Sequence, residues 1–349
     1  MEKIDIRSMN LGELTLFVTQ IGEPKFRAAQ LFKWLQSGVT DFEEMSDLPY
    51  ALRQKLKESC YIADVKIVRR LVSRLDETVK YLYELYDGEC IESVLMRYEH
   101  GYTVCISTQV GCRMGCGFCA SGLNGLFRNL TASEMLAQIT AAQRDNNIRV
   151  SNIVMMGMGE PLDNFDNSIR FLQLVSCDNG LNIGLRHISL STSGVVSGIE
   201  KLKEYNFPIT LSISLHAPND KIRNSMMKVN KKWNIESLLM ACRAYQAVTT
   251  RRISFEYALI DGVNDSEACA DELARKLKGI MCHVNLIPVN SVKENGYKRP
   301  DKSRIIFFRD RLIKKGVNAT VRRTLGADIN ASCGQLRRQA KDGGSFENL

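Results

Sequence analysis

From residue 101 onward, short apolar runs alternate along the chain with longer segments of helical periodicity. Six runs are typical of strands, at 103–107, 152–156, 187–191, 209–215, 253–259 and 283–287. The helix-like segments between and after them include 132–146, 235–247, 267–277 and 303–315. Such alternation favours a parallel sheet with right-handed crossovers. Six units rather than eight predict an α/β protein with an open, partial (βα)6 barrel.

The first hundred residues have a different pattern. Leucine and phenylalanine recur at helix spacing up to residue 60, as at Leu11, Leu14 and Phe17, which predicts a helical accessory domain over 1–60. Residues 61–100 alternate apolar and polar positions and contain the turn signal Asp87-Gly88. They are typical of a β-rich connecting segment with a small β-hairpin.

These patterns divide the chain into four parts. We expect the barrel and a C-terminal loop over 101–340, after the helical and β-rich segments. The last residues, 341–349, contain Gly-Gly-Ser and read as a disordered tail.

Composition narrows the class of protein. The chain has 349 residues, of which 44% are hydrophobic and 25% charged, values typical of a soluble globular protein. No stretch approaches the ~18 uncharged apolar residues of a membrane span. The first residues, 1–7, lack the apolar region of a signal peptide, so we expect a cytoplasmic protein without a membrane partner.

The charge balance permits an anionic partner. There are 47 basic and 39 acidic residues, a net charge of +8. Paired basic residues are crowded after position 220, as in Lys231-Lys232, Arg251-Arg252 and Arg322-Arg323. Each pair alone is typical of a solvated face, but together they favour a polyanion such as RNA.

Three of the eleven cysteines are clustered. Cys112, Cys116 and Cys119 follow the first barrel strand, and such loops carry the active sites of parallel α/β folds. A structural zinc ion requires four ligands, yet His100 lies twelve residues upstream and the next histidine is His187. A [4Fe-4S] cluster held by three thiolates instead leaves one iron open to a substrate. The spacing therefore predicts an iron–sulfur cluster.

Polar residues also end the later barrel strands. Gly159-Glu160 ends the second strand in a glycine-rich turn, where backbone can approach a ligand and a carboxylate can receive an ammonium group. Ser191 ends the third strand, Ser214-Leu215-His216 the fourth, and Asn290 follows the sixth. Parallel strands would direct all of these to one rim, although His216 taken alone is better explained as a residue that caps the next turn.

Longer motifs give these residues a family resemblance. The cysteine spacing with Phe118 before the third cysteine resembles the radical S-adenosylmethionine (SAM) superfamily. Further motifs resemble the RlmN branch of its RNA methyltransferases over essentially the whole chain; they are Phe127–Thr131, Met156–Leu162, Leu190–Gly194, Ser214–Asp220, Gly262–Asp265, Asn285–Pro288 and Cys333–Leu336.

The resemblance implies a radical-SAM partial barrel and a role for each candidate residue. Cys112, Cys116 and Cys119 would hold the [4Fe-4S] cluster. The positions that match SAM binding are Gly159, Glu160, Ser191, Ser214, Leu215, His216 and Asn290. Cys333 matches a cysteine that is itself methylated, Cys105 its resolving partner, and Glu92 the general base.

The resemblance also implies the reaction and the partners. The substrates would be an adenosine in the peptidyl transferase centre of 23S rRNA and the adenosine 3′ of the anticodon in tRNAs, both methylated at C2. Adenine C2 has no nucleophilic lone pair, so the family uses two SAM molecules and a methyl-cysteine intermediate. An electron donor of the flavodoxin or ferredoxin type is implied, and a monomer is expected.

Two alternatives remain open at this point. The sister branch methylates adenine C8 and confers antibiotic resistance; Pro161, after Glu160, favours the C2 branch. A non-catalytic zinc or iron–sulfur RNA-binding protein is the other, but it assigns no role to Cys333 or Glu92. The helical domain and the hairpin are the candidates for gripping RNA.

Overall fold

A computed structural model describes residues 3–290 and 296–331. Cys333 and the tail 341–349 lie outside the described residues. The α-helices are α1 Leu11–Gln20, α2 Phe26–Ser37, α3 Tyr50–Ser59, α4 Ala132–Asn146, α5 Phe165–Val175, α6 Val196–Tyr205, α7 Asp220–Met226, α8 Ile235–Thr249, α9 Glu267–Leu277 and α10 Lys302–Lys314.

The strands of the described residues form one large sheet and two small pairs. They are β1 Ile4–Asp5, β2 Cys60–Tyr61, β3 Lys66–Val72, β4 Val79–Glu84, β5 Cys90–Tyr98, β6 Gly101–Cys105, β7 Gln109–Gly111, β8 Leu126–Asn129, β9 Val150–Met155, β10 Ile188–Thr192, β11 Thr210–Ser214, β12 Ile253–Leu259, β13 Cys282–Pro288 and β14 Ala319–Val321. The large sheet has the order β14-β13-β12-β11-β10-β9-β6-β5-β4-β3, and the pairs are β1-β2 and β7-β8.

Within the described residues, the barrel contains one more parallel strand than the sequence predicts. All six predicted strands are present, each within two residues at either end. The seventh, β14, pairs in parallel with β13. It escaped the pattern because Ala319–Val321 is three residues long and one of them, Thr320, is polar. β13 supplies the pairing edge that makes so short a strand stable.

The predicted hairpin is part of this same sheet. β4 pairs antiparallel with both β3 and β5, and β5 pairs antiparallel with β6, the first barrel strand. The turn between β4 and β5 contains Asp87-Gly88, where the amide of Gly88 donates to the carbonyl of Leu85. The ten strands therefore form one continuous sheet, with the antiparallel part at its edge.

The N-terminal helices share a hydrophobic core with the barrel. Leu14, Leu31 and Leu56 belong to the same buried cluster as Leu136 of α4 and Ile153 of β9. Burial of such apolar side chains is the main stabilising contribution to folding.

Polar contacts fix the same interface. Arg7 is fully buried, and its guanidinium donates to the hydroxyl of Thr140 on α4 at 3.1 Å. Glu13 of α1 accepts two hydrogen bonds from Arg170 of α5. At the N-terminus of α4, Thr131 and Glu134 form a reciprocal capping box.

Among the described residues, no helix combines the length and apolar character needed to cross a bilayer.

Candidate active site at the strand ends

A cavity of about 940 Å³, including its open mouth, lies at the carboxyl ends of the parallel strands. Each strand from β9 to β13 contributes to its wall at or just after its last residues. The cavity gathers most of the predicted site residues, namely Cys112, Cys116, Cys119, Gly159, Glu160, Ser191, Ser214, His216 and Asn290.

The three cysteines lie on a loop that a short hairpin closes. β7 and β8 pair antiparallel on either side of it, and the amide of Cys112 donates to the carbonyl of Gly125 at 2.9 Å. Gly111 has φ +77°, and a Cβ there would stand 2.0 Å from the same carbonyl oxygen. Only glycine fits this crossing point. The hairpin therefore fixes the position where the cysteine loop starts and ends.

The thiols suit a metal cluster in their chemistry. Burial raises the pKa of Cys112 to about 12 and raises that of Cys116 well above its usual value, and the nearby Glu160 adds to both shifts. Bound iron offsets this cost because it stabilises thiolates. Within the described part of the chain, no three His, Cys, Asp or Glu side chains converge as ligands of a single metal ion. A cluster does not require this, since each thiolate binds its own iron.

Glu160 connects the ends of two strands. Its Oε2 accepts a hydrogen bond from the amide of Ser193 after β10, and its Oε1 accepts one from the amide of Leu162. Burial raises the pKa of this carboxyl group. Gly159 has φ +101°, and a Cβ there would stand 2.6 Å from Cβ of Gln109. The glycine lets this turn pack against the cysteine hairpin.

His216 occupies a backbone conformation that histidine seldom adopts. Its φ is +57°, in the left-handed region. Nδ1 accepts a hydrogen bond from the amide of Ala258 at 2.7 Å, and the ring packs edge-on against Phe118 at 4.7 Å. Burial lowers the pKa of His216 to about 3. The imidazole is therefore neutral at physiological pH and links the fourth strand to the cysteine loop.

Leu215 is the one predicted SAM-binding residue that does not line this cavity among the described residues. Its side chain is buried in the hydrophobic core, and its amide donates to the carbonyl of Glu256. Any contact between Leu215 and a cofactor would therefore involve its backbone.

Arg223 is a positioning residue that the sequence did not reveal. It lies on α7 with its side chain fully buried. Nη2 donates to the carbonyl of Ser193 at 2.6 Å and to that of Ser214 at 3.1 Å, and Nε donates to the carbonyl of Leu215. Burial lowers its pKa to about 10. One guanidinium thus holds the ends of β10 and β11 together.

Two further charged residues of the described chain line the cavity. Glu256 is a buried carboxylate on β12 that accepts hydrogen bonds from Ser254 and Asn285, each at 2.8 Å. A charged residue inside the apolar run 253–259 was the signal available for it. Arg322 follows β14, and its amide donates to the carbonyl of Leu286. It was missed because β14 was missed.

A second cavity of about 570 Å³ adjoins the first. Cys105 and Ala331, the last described residue, both line it. The two cavities share the wall residues Met156, Ile287, Asn290 and Arg322. The structure therefore brings the end of the described chain close to Cys105, beside the cavity of the cysteine loop.

Sheet register places the remaining candidates. Val94 of β5 pairs with Cys105 of β6 and also with Lys80 of β4, so these three side chains share one face. Glu92 lies two residues before Val94 on that face, buried, with Lys80 Nζ at 2.9 Å from its Oε1. Glu92 is not among the described residues that line either cavity.

Comparisons with known proteins agree with this architecture. The model of the "Radical SAM superfamily" matches residues 106–273, and that of the "Ribosomal RNA large subunit methyltransferase N-terminal domain" matches 4–62. The probable dual-specificity RNA methyltransferase RlmN of Alkaliphilus oremlandii is 55% identical over 97% of this chain and 99% of its own. The chain belongs to the RlmN family of radical SAM RNA methyltransferases. The resemblance found in the motifs is confirmed.

Another relative and a solved structure extend the match. The probable dual-specificity RNA methyltransferase RlmN of Clostridium novyi is 51% identical over 96% of this chain and 98% of its own. The crystal structure of a radical SAM methyltransferase from Sphaerobacter thermophilus superposes with a TM-score of 0.92 at 44% identity, covering 95% of this chain and 99% of that one. The predicted fold is confirmed, and the protein is a SAM-dependent methyltransferase that uses a [4Fe-4S] cluster and SAM.

Proposed function

We propose that this enzyme methylates C2 of an adenosine in the peptidyl transferase centre of 23S rRNA and of the adenosine 3′ of the anticodon in tRNAs. The observation that carries the proposal is the pair of adjoining cavities. One gathers the cysteine loop and Glu160, and the other contains Cys105 next to Ala331, two residues before Cys333. A methyl carrier, its resolving thiol and the cofactors would meet along this shared wall.

The first cavity has the donors that its cofactors require. Cys112, Cys116 and Cys119 would hold the cluster, and the buried carboxylate of Glu160 would receive the amino group of SAM. Ser191, Ser214, His216 and Asn290 line the same cavity and would bind the rest of SAM, with the Leu215 backbone behind them. When bound, the cluster and SAM would supply the chemistry that removes one hydrogen atom from a methyl group, and the cluster would take back the one electron released when the base loses its C2 proton.

The protein's own residues would carry the remaining steps. Cys333 receives a methyl group from one SAM molecule and, after loss of a hydrogen atom, joins its carbon to C2. Glu92 takes the C2 proton. The thiolate of Cys105 then attacks the sulfur of Cys333, so that a disulfide forms, the sulfur–carbon bond breaks, and the carbon gains a proton to become the new methyl group.

We further propose that the N-terminal helices bind the RNA. Phe26 and Tyr50 are exposed on α2 and α3, and each carries an arginine over its ring, Arg27 at 4.8 Å and Arg53 at 5.8 Å. Exposed aromatic rings beside arginine are typical of surfaces that stack unpaired bases. An electron donor of the flavodoxin or ferredoxin type would reduce the cluster before its first SAM cleavage, and two electrons would return the Cys105–Cys333 disulfide to thiols after each turnover.

Methylation at C8 is the alternative product. Pro161, directly after Glu160, favours C2, since the resemblance assigns proline at this position to the C2 branch.

The test incubates the reduced, cluster-loaded enzyme with SAM and with rRNA or tRNA that lacks the modification. Nucleosides are then separated and identified by mass spectrometry. We expect 2-methyladenosine in both RNAs and none with the Cys333→Ala variant. 8-Methyladenosine would assign the enzyme to the sister branch, and product from Cys333→Ala would contradict the methyl-cysteine route.

A further inference from the structure

Lys80 joins the candidate general base to the C-terminal segment. Its side chain is buried on β4, and its Nζ lies 2.9 Å from Oε1 of Glu92 on β5. The same nitrogen donates a hydrogen bond of 3.1 Å to the backbone carbonyl of Asn330. Asn330 is three residues before Cys333. One ammonium group therefore touches both the carboxylate and the segment that leads to the methyl carrier.

The turn between β3 and β4 holds this segment at a second place. Ser73 Oγ and the amide of Arg74 both donate to the carboxylate of Asp328, at 2.7 and 2.9 Å. In the opposite direction, the amide of Gly326 donates to Asp76 at 2.9 Å. The antiparallel edge of the sheet is thus the docking surface for residues 326–331.

The position of Lys80 follows from the sheet register. Lys80 pairs with Val94 and Leu82 with Glu92, so Lys80 and Glu92 are diagonal neighbours on one face of the sheet. Long side chains reach each other across such a diagonal. A buried lysine is costly unless it is paired, and here the carboxylate and the carbonyl provide its acceptors. The contact between Lys80 and Glu92 is therefore a buried ion pair and not a solvent-exposed one.

We propose that Lys80 is a positioning residue that ties the Glu92 carboxylate to the carbonyl of Asn330, and so holds the base in a fixed place relative to the segment that carries Cys333. The proposal rests on the function assigned to Glu92 and Cys333 above. When C2 becomes bonded to the carbon on Cys333, its proton must point at the carboxylate. The proton moves to Glu92, and the electron pair of the C–H bond stays in the base.

The test compares Lys80→Met, Lys80→Arg and Glu92→Gln with wild type in single-turnover reactions with RNA. Lys80→Met keeps an unbranched side chain, one atom shorter, but removes both hydrogen bonds. We expect the covalent protein–RNA adduct to form and then to resolve about tenfold to a hundredfold more slowly, as with Glu92→Gln, while the KM for RNA stays near that of wild type. Arginine retains donors for both acceptors, so Lys80→Arg should recover most of the rate.

A matched control comes from the same sheet edge. Lys66 of β3 forms an exposed contact of 3.7 Å with Glu84 of β4. The substitution Lys66→Met removes the same charge from a neighbouring strand, away from Glu92 and Asn330. It should resolve the adduct at the wild-type rate.

A double variant tests whether Lys80 acts through Glu92. In the Glu92→Gln background, Lys80→Met should slow resolution little further, because the carboxylate that it positions is already gone. A full additional loss, or normal resolution by Lys80→Met alone, would overturn the proposal. If wild type forms no adduct, or Glu92→Gln resolves it normally, the proposed function fails instead.

Hydrogen exchange provides a readout without catalysis. In the absence of RNA and SAM, the amides of 326–331 should exchange faster in Lys80→Met than in wild type or Lys66→Met. Should Lys80→Met not fold because it strands a buried carboxylate, the neutral double variant with Glu92→Gln is compared with Glu92→Gln alone. Equal exchange in these two proteins would contradict the contact with Asn330.

Discussion

Glu160 accepts a hydrogen bond from the backbone amide of Ser193 at 2.6 Å, and this bond joins the ends of two neighbouring barrel strands. The two residues are 33 positions apart in the chain. A carboxylate held in this way is buried, accepts from the backbone amides of Ser193 and Leu162, and faces the cavity. The Glu160 carboxylate is therefore suited to pair with one positively charged group of a ligand.

Replacing Glu160 with Gln should weaken SAM binding. The amide keeps the size of the side chain, but it cannot offer an anion to the ammonium group, and its NH2 would oppose one of the two backbone donors. We expect the Kd for SAM to rise about tenfold to a hundredfold, measured by calorimetry on the cluster-loaded protein. Glu200→Gln, an exposed change on α6, is the control and should bind SAM normally.

The cluster should depend on each cysteine of the loop. Changing Cys112, Cys116 or Cys119 to Ala should abolish the broad visible absorption of the anaerobically reconstituted protein, because a cluster with two thiolate ligands is not retained. Cys177→Ala, a half-buried cysteine outside the cavity, should reconstitute normally. Stoichiometric zinc in wild type without SAM cleavage would refute the enzymatic interpretation.

Replacing Cys105 with Ala should trap the enzyme on its substrate. The radical addition can proceed, but no thiolate is present to attack the sulfur of Cys333, so protein covalently bonded to RNA accumulates and is seen on denaturing gels. Cys333→Ala should give no adduct, since the methyl carrier is missing. Repeated turnover by Cys105→Ala would show that the resolving thiol is elsewhere. The control is Cys282→Ala, at the other end of the barrel, which should release its product as wild type does.

Because His216 is neutral in the folded protein, the free energy of unfolding should decrease as the pH falls. Its pKa is about 3 in the folded protein and about 6.5 when unfolded, so below pH 6.5 the unfolded chain binds the extra proton. This contribution to stability is intact above pH 6.5 and falls by about 1.4 kcal/mol per pH unit towards pH 3.

The substitution His216→Asn isolates that contribution. Asparagine tolerates the left-handed backbone and can still accept from the amide of Ala258, but it does not titrate. Urea denaturation at pH 6.5 and 4.5 should show a loss about 2–3 kcal/mol smaller in the variant than in wild type. Equal losses would mean that His216 is protonated in the folded state.

RNA binding should depend on the exposed rings of α2 and α3. The double variant Phe26→Ala and Tyr50→Ala removes no core contact, so stability should change by less than about 0.5 kcal/mol per site. We expect affinity for RNA to fall by about 1–3 kcal/mol per stacked base, measured by fluorescence anisotropy at several salt concentrations. Leu16→Ala, equally exposed on α1, should leave binding unchanged.

Local sequence determined much of the barrel. Apolar runs and their spacing located six parallel strands within two residues at either end, and helical periodicity located α4 at its observed bounds, Ala132–Asn146. These signals are local: a strand needs a short apolar run, and a helix needs apolar residues three and four positions apart. The cysteine spacing likewise predicted the place of the cluster loop, because the three proposed ligands lie within eight consecutive positions, Cys112 to Cys119.

Tertiary structure decided the relationships between distant residues. β14 exists because β13 offers it an edge, and Arg223 is buried because the carbonyls of β10 and β11 surround it. The contact of Lys80 with Glu92 and Asn330 depends on the register of β4 against β5 and on a docked segment 250 residues away. A shift of one residue in that register would turn Lys80 to the opposite face. No local pattern carries that information, since packing of the whole sheet selects the register.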